Sequence, residues 1–138
     1  MRVQQSTAPP AVAELKSISQ QNHRDYSMTI ITKEKKLVTL INVFTVDPAK
    51  QHDLVDLLAR ATESSVRDVP GFISASLHRS LDGSKVAMYA QWRSIEDYHA
   101  MRQKGVILPY MQQAMALAKF EPGMYEVVET FEPRPKDA

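Results

Sequence analysis

Residues 70–98 read PGFISASLHRSLDGSKVAMYAQWRSIEDY, and this stretch predicts a strand, a tight turn, a second strand and the start of a helix. Side chains alternate between two faces over residues 72–80, as in a β-strand. Asp82-Gly83 favours a hairpin turn, because glycine tolerates the positive φ that such turns need. Residues 85–92 return as the second strand. Ser94, with Asp97 three residues later, is a capping pattern that predicts a helix directly after that strand.

The hairpin offers candidate pocket groups on one face. Regular alternation along the first strand places an aromatic ring, two hydroxyls and an imidazole together: Phe72, Ser74, Ser76 and His78. Along the second strand it places a mainly apolar set on one face: Val86, Met88, Ala90 and Trp92. We expect these two sets to face the same cavity, so that the His78 imidazole and the Trp92 indole lie near each other.

The same hairpin carries a family resemblance. Four segments support it: Pro70-Gly71-Phe72, His78-Arg79-Ser80, Asp82-Gly83 and Tyr89-Ala90-Gln91-Trp92. In this order and spacing they resemble the hallmark segments of the antibiotic biosynthesis monooxygenase family, over residues 37–131. The resemblance implies a small, ferredoxin-like and dimeric protein. It also implies oxidation of a polycyclic phenol or quinol by molecular oxygen, with no cofactor and with neither a metal nor a flavin.

Length and composition exclude several classes of protein. A chain of 138 residues predicts one domain. The balance of 17 basic and 16 acidic residues gives a net charge of +1 and no electrostatic reason to expect nucleic acid or an anionic membrane as partner. The sequence has no run of about 18 apolar residues that could span a bilayer and no apolar signal core near residue 1. It contains no cysteine, and we expect a cytoplasmic protein.

The chain divides into three parts by composition. Residues 1–36 are polar and predict an N-terminal extension, partly mobile or acting as a dimer arm, with a candidate helix over residues 11–18 and a candidate edge strand or arm over residues 26–31. Residues 37–131 form the predicted monooxygenase-like domain. Residues 132–138 contain two prolines and predict a disordered tail.

Periodicity predicts the elements of the domain. Residues 37–46 form an apolar strand, and Asp47-Pro48 begins a helix. After the hairpin come a helix over residues 94–104, a helical stretch over residues 107–119 and a last strand over residues 124–131. The order is therefore β-α-β-β-α-β, which predicts an α+β, ferredoxin-like fold with a four-stranded antiparallel sheet.

The sheet predicts a homodimer. Two helical units can cover only one of its faces, and the other face remains apolar. By regular alternation that face carries Leu37, Ile41, Val43, Ile73, Ala75 and Leu77. A second copy, packed sheet against sheet about a two-fold axis, would cover it. The family resemblance implies the same assembly, a dimeric α+β barrel.

The resemblance implies that the Trp92 face lines a cleft between sheet and helices. There we expect a small, flat, aromatic or quinol-like ligand. His78 would accept a proton from it, Trp92 would stack on it, and Tyr98 and Asn42 would orient its oxygen atoms. The expected binding residues are Phe44, Phe72, Ser74, Ser76, Met88, Met101, Met111 and Met115. No metal-ligand spacing links His23, His52, His78 and His99.

Two departures from the family keep other functions open. Met88 stands where quinone-forming relatives carry an asparagine, and a thioether cannot donate a hydrogen bond to a phenolate. Gln112 or Gln113 stands where some relatives carry an arginine. The alternatives are a non-catalytic ligand-binding barrel and another small enzyme on this scaffold, such as an isomerase. Trp92 could equally be a core residue, and His78 a solvated one.

Overall fold

A computed structural model describes residues 29–136 of the chain. The candidate helix over residues 11–18, most of the N-terminal extension and the last two residues of the tail lie outside the described part. The described elements, in chain order, are β1 (Val38–Val46), a 3-10 turn (Pro48–Lys50), α1 (Gln51–Ser65), β2 (Phe72–Arg79), β3 (Lys85–Trp92), α2 (Ile95–Arg102), α3 (Leu108–Leu117), β4 (Ala118–Glu121) and β5 (Met124–Tyr125).

The strands form one antiparallel sheet in the order β2-β3-β1-β4, and the short β5 also pairs with β1. This is the ferredoxin-like arrangement, so the predicted fold class is confirmed. The helices lie on the side of the sheet that carries Phe44 and Trp92, both at most 2% exposed. No helix in the described part is both long and apolar enough to cross a membrane.

The C-terminal strand differs from the prediction. A strand over residues 124–131 is wrong: β4 begins at Ala118, β5 ends at Tyr125, and residues 126–136 form no regular element. Both β4 and β5 pair with β1, and Pro122, which lacks an N–H, lies in the break between them. The ring of Phe120 in β4 stacks on that of Phe44, with centroids 4.8 Å apart. Helix α3 therefore ends at Leu117, two residues before the predicted end.

Side-chain caps mark the start of the 3-10 turn that leads into α1 and the start of α2. The Asp47 carboxylate accepts a 2.9 Å hydrogen bond from the backbone N–H of Ala49 before α1, and Pro48 opens the turn. The Ser94 hydroxyl accepts a 3.1 Å bond from the backbone N–H of Asp97 at the start of α2. Both starts agree with the caps expected from the sequence.

A bulge at Ile73 changes the faces of β2. Phe72 pairs with Trp92 and Ser74 pairs with Gln91, so Ile73 has no partner on β3. Every later residue of β2 is consequently on the face opposite to the one that regular alternation predicts. Ala75 and Leu77 pair with Ala90 and Met88 and face the helices. The assignment of Ala75 and Leu77 to the uncovered face is therefore wrong.

The face away from the helices is partly covered by the chain itself. The Thr29 hydroxyl donates to the Ser74 hydroxyl (3.1 Å), which donates to Oε1 of Gln91 (2.8 Å). Nε2 of Gln91 donates to the backbone oxygen of Ile30 (2.8 Å). These bonds leave Ser74 only 5% exposed and Gln91 only 3% exposed. The described end of the candidate arm, residues 29–31, thus contacts the sheet without forming a strand.

Candidate active site

An apolar cavity of about 80 Å³ lies between the sheet and the helices. Strands β1, β2 and β3 form its floor and α1, α2 and α3 its walls. Most of its lining is hydrophobic: Leu40, Phe44, Leu58, Ala61, Val66, Phe72, Ala75, Met88, Ala90, Trp92, Met101, Ile107 and Met111. The polar lining residues are Asn42, Thr62, Tyr98 and Arg102. An apolar enclosure with few polar groups is the usual composition of a small-molecule site.

Three aromatic rings in edge-to-face contact line the cavity. Trp92 lies between Phe72 and Tyr98, with ring centroids 5.5 Å and 5.7 Å away and both contacts near perpendicular. Edge-to-face contacts of this kind are favourable and hold the rings in fixed orientations. Phe72 and Trp92 meet because they are paired across β2 and β3. Tyr98 approaches from the first turn of α2.

Asn42 supplies an unpaired acceptor. It lies on β1 opposite Met88 of β3 and lines the cavity. Its side-chain Oδ1 is buried and has no hydrogen-bond partner within residues 29–136. A buried acceptor without a partner is unfavourable. A ligand donor in the cavity would therefore stabilise this group.

Arg102 and Tyr98 supply two of the polar side chains that line the cavity. Nη1 of Arg102 donates a 2.9 Å hydrogen bond to the Tyr98 hydroxyl, one turn earlier on α2. The Arg102 Nε–H is buried and has no acceptor among the described residues. Arg102 is also the one charged side chain that lines the cavity in this part of the chain. Thr62, by contrast, is satisfied, because its hydroxyl donates to the backbone oxygen of Leu58 at 2.9 Å.

The structure brings most of the expected site residues together. Those that line the cavity are Asn42, Phe44, Phe72, Met88, Trp92, Tyr98, Met101 and Met111. Their positions follow from strand alternation along β1 and β3 and from the helical spacing of α2 and α3. Their roles toward a ligand stay predictions.

His78, Ser74 and Ser76 lie elsewhere, and their expected position beside Trp92 is wrong. The Ile73 bulge turns them to the face of the sheet opposite the cavity. There Nε2 of His78 contacts the Ser76 hydroxyl at 2.9 Å, and His78 is exposed. Proton transfer from a ligand in the cavity to His78 within this chain is therefore excluded by geometry.

Met115 is also outside the cavity. It is 61% exposed, because Ala114 occupies the buried position of that turn of α3.

Arg102 lines the cavity but was not predicted from the sequence. The signal was present, since Tyr98 and Arg102 are four residues apart and thus neighbours on one helix face. Ala75 was missed because its face depends on the bulge.

The ion pair between Arg93 and Asp97 lies at the N-terminus of α2. Asp97 accepts two hydrogen bonds from the Arg93 guanidinium, at 2.7 and 2.9 Å, and a third from the Ser94 hydroxyl at 2.9 Å. The Arg93 bonds, followed by the Ser94 bond, hold the pKa of the Asp97 carboxyl below its usual value. This arrangement positions the first turn of α2, from which Tyr98 projects.

No cluster of three potential metal-ligating side chains occurs within residues 29–136.

The fold and the cavity agree with a known family. The family model described as "Antibiotic biosynthesis monooxygenase" matches residues 37–117. The chain therefore belongs to the antibiotic biosynthesis monooxygenase family. The matched range runs from the residue before β1 to the end of α3 and contains every residue that lines the cavity.

Individual relatives carry more specific names. The chain is 40% identical over 104 residues to the tetracenomycin-F1 monooxygenase of Streptomyces glaucescens, covering 75% of this chain and 93% of that protein. It is similar to SnoaB, a cofactor-independent oxygenase from Streptomyces nogalater, with 26% identity, a TM-score of 0.61, and coverage of 71% of this chain and 99% of that one. Rv0793 from Mycobacterium tuberculosis shares the fold, with 21% identity, a TM-score of 0.60, and coverage of 70% and 99%.

Proposed function

We propose that this protein is a cofactor-independent monooxygenase that oxidises a phenolic, anthrone-like or hydroquinone small molecule with molecular oxygen. The observation that carries the proposal is the apolar cavity between sheet and helices, with an aromatic wall and only a few polar groups. Family membership and the 40% identical monooxygenase support the reaction type. The shape and polarity of the cavity support a flat, largely apolar substrate.

The proposed reaction is balanced without a further reductant. A phenol that becomes a quinone takes up one oxygen atom from O₂, and the second oxygen leaves as water with two hydrogens from the substrate. An anthrone methylene that becomes a carbonyl follows the same balance, and so does a hydroquinone that gains one oxygen atom to become a hydroxyquinone. In each case the substrate supplies all the electrons, and its deprotonated form is the better electron donor. The site therefore has to bind the substrate, favour its anion and exclude water.

The lining residues suit these tasks. Trp92 and Tyr98 would contact the ring system, while Asn42 Oδ1 would accept a hydrogen bond from a second substrate hydroxyl, one that stays protonated. A pocket for a drug-sized molecule typically has a volume of about 300 Å³ or more, so a substrate with several rings must displace side chains from the 80 Å³ cavity. Met88, Met101 and Met111 line it, and methionine side chains adapt readily to a new shape.

We further propose a homodimer that buries the face of the sheet opposite the cavity. That face carries half-buried apolar side chains that no helix covers: Ile41, Val43, Ala87 and Tyr89. A stable interface of this kind buries about 1,200 Å² or more in total. Sedimentation at micromolar concentration should give a dimer, and Ile41→Lys should give monomer or aggregate. A folded wild-type monomer at that concentration would contradict this assembly.

A second candidate function is ligand binding without catalysis. The observation that favours it is Met88, which lines the cavity beside Asn42, its partner on the neighbouring strand, and has no hydrogen-bond donor. Such a protein would bind a flat phenol but leave it unchanged.

Oxygen uptake separates the two candidates. The protein should consume O₂ with at least one member of a panel of anthrones and hydroquinones, above the rate of spontaneous oxidation. With ¹⁸O₂, mass spectrometry should find one labelled atom in the product. Ligand binding detected by tryptophan fluorescence, without any rate above the spontaneous one, would overturn the monooxygenase proposal and favour the binding function.

A further inference from the structure

We infer that Arg102 is the anion-binding residue of the cavity and that the site selects ligands bound as phenolates or similar oxyanions. The inference rests on the proposed function only for the aromatic class of the ligand. It assigns a specific role to a side chain, and that role can be tested without any oxidation.

The first support is the unfinished hydrogen bonding of the guanidinium. An arginine side chain has five N–H donors and no acceptor. In Arg102, Nη1 is used by the Tyr98 hydroxyl at 2.9 Å, but the buried Nε–H has no acceptor within residues 29–136. A buried charged donor without an acceptor lowers the stability of the fold. An oxyanion in the cavity is the ligand group that would satisfy it best.

The second support is the missing counter-charge. The ion pairs among the described residues join Lys33 to Glu129, His52 to Asp56, Arg67 to Glu63 and Arg93 to Asp97, and none includes Arg102. The cavity lining contains no carboxylate. A positive charge beside an apolar space with no anion of its own attracts a negatively charged ligand, most strongly on the side of the buried Nε–H, where water does not screen it.

The third support is the position of His78. Since His78 faces the other side of the sheet, the lining residues provide no imidazole and no carboxylate to accept a proton. The site would then favour ionisation by stabilising the anion, with the proton released to bulk solvent as the ligand enters. An opposite charge within about 4–6 Å lowers the pKa of an acid by about one to three. The Tyr98 hydroxyl, which accepts from Arg102, keeps its own hydrogen to donate to the same oxyanion.

Binding of para-nitrophenol provides the test. This single-ring phenol absorbs visible light only when ionised and does not react with O₂, so its ionisation in the complex can be titrated directly. We expect wild type to bind the phenolate at least about tenfold more tightly than the neutral phenol. The methyl ether para-nitroanisole, which cannot ionise, should show no such pH dependence.

Substitutions of Arg102 test whether the phenolate preference depends on its side chain. Arg102→Met keeps much of the apolar stem and should remove the preference for the phenolate while leaving para-nitroanisole affinity within about twofold. Arg102→Lys keeps the charge and should restore part of the preference. The matched control is Arg60→Met, which removes an equal charge from the exposed side of α1 and should behave as wild type.

Several results would overturn the inference. Equal wild-type affinity for phenol and phenolate would do so without any variant, even if Arg102→Met failed to fold. A loss of both ligands in folded Arg102→Met would show that Arg102 only packs the cavity. The binding test consumes no oxygen, so its outcome is independent of the oxygen-uptake test. A phenolate preference without activity on anthrones would contradict the proposed function but support the anion site. Activity on anthrones without a phenolate preference would contradict the anion site but support the proposed function.

Discussion

The ring of Trp92 meets the ring of Tyr98 edge to face, with centroids 5.7 Å apart and planes at 72°. Trp92 is only 1% exposed, so the indole belongs to the core and to the cavity wall at once. Its neighbours in the core include Leu40, Ala61 and Met101. Stability and the proposed ligand binding would therefore depend on the same side chain, and different substitutions should separate them.

Trp92→Phe should fold, because a smaller ring still fills most of the space, but it should bind flat phenols more weakly. Trp92→Ala should lower the free energy of unfolding by about 3–5 kcal/mol, the usual loss for a buried aromatic residue. Urea unfolding and a ligand titration on the same preparations measure both effects. An unchanged ligand affinity in Trp92→Phe would show that the indole does not contact the ligand.

Met88→Asn should raise the rate of oxygen uptake with anthrone or hydroquinone substrates. It places a hydrogen-bonding group on the cavity floor, opposite Asn42 on the neighbouring strand, where it can reach a phenolic oxygen. The control is Met115→Asn, because Met115 is exposed outside the cavity and its replacement should leave the rate unchanged. Equal rates for wild type and Met88→Asn, with folding verified, would argue against an oxygenase limited by Met88.

His78→Ala should keep turnover within about twofold of wild type. Loss of a general base typically lowers the rate by about 10²-fold or more, but His78 lies across the sheet from the cavity, where its imidazole hydrogen-bonds to the Ser76 hydroxyl. Initial rates across neutral and alkaline pH measure the effect. A hundredfold loss at neutral pH that shrinks at alkaline pH would contradict this placement.

Gly71→Ala should be strongly destabilising, while Gly105→Ala should be nearly neutral. Gly71 has φ of +88°, and a Cβ there would collide with the Asp97 carboxylate. Both the backbone conformation and the close approach therefore require glycine. A Cβ on Gly105 meets no atom within 4 Å and its φ is not positive. Urea unfolding should show that Gly71→Ala lowers the free energy of unfolding by more than about 1 kcal/mol. An unchanged free energy of unfolding would refute the contact.

Asp82 should make the hairpin turn sensitive to acid. The backbone N–H of Ser84, then the hydroxyls of Ser84 and Ser80, lower the pKa of Asp82 from 3.8 to about 2. A lowered pKa in the folded state stabilises the fold above the unfolded value, and this stabilisation is lost as the pH falls through 3.8 to about 2.

Asp82→Asn should therefore unfold more easily than wild type at neutral pH and equally easily below pH 2. Ser84→Ala should show the same trend, because it removes a donor to the same carboxylate. Thermal unfolding followed by circular dichroism over this pH range measures both differences. A difference between wild type and Asp82→Asn that persists undiminished at the lowest pH would contradict the assigned cause.

Local signals were enough to predict most of the fold. The turn at Asp82-Gly83, the caps at Asp47 and Ser94 and the apolar periodicity of α1 each act over a few residues, and the structure contains all of them. The last strand was misplaced because Ala118 and Lys119 were assigned to the preceding helical stretch, whereas Ala118–Glu121 pairs with β1 as a strand.

The cavity could be predicted only in part, because one face depends on a contact between distant residues. The backbone N–H of Arg93 donates to the oxygen of Gly71 at 2.7 Å, which fixes the start of β2 against the end of β3. Ile73 must then bulge so that Ser74 can meet Gln91. Alternation along β2 carries no sign of this register, so His78 was placed on the wrong face while Trp92 was placed correctly.

The unpaired position of Ile73 makes the length of β2 adjustable by one residue. Deleting Ile73 would join Phe72 directly to Ser74 and leave all pairings from Ser74 onward as they are. A deletion at any later position of β2 would instead turn the following side chains over, exchanging the cavity wall for the exposed row that holds His78. Natural variation and protein engineering can therefore change chain length at this point of the strand without rebuilding the floor of the cavity.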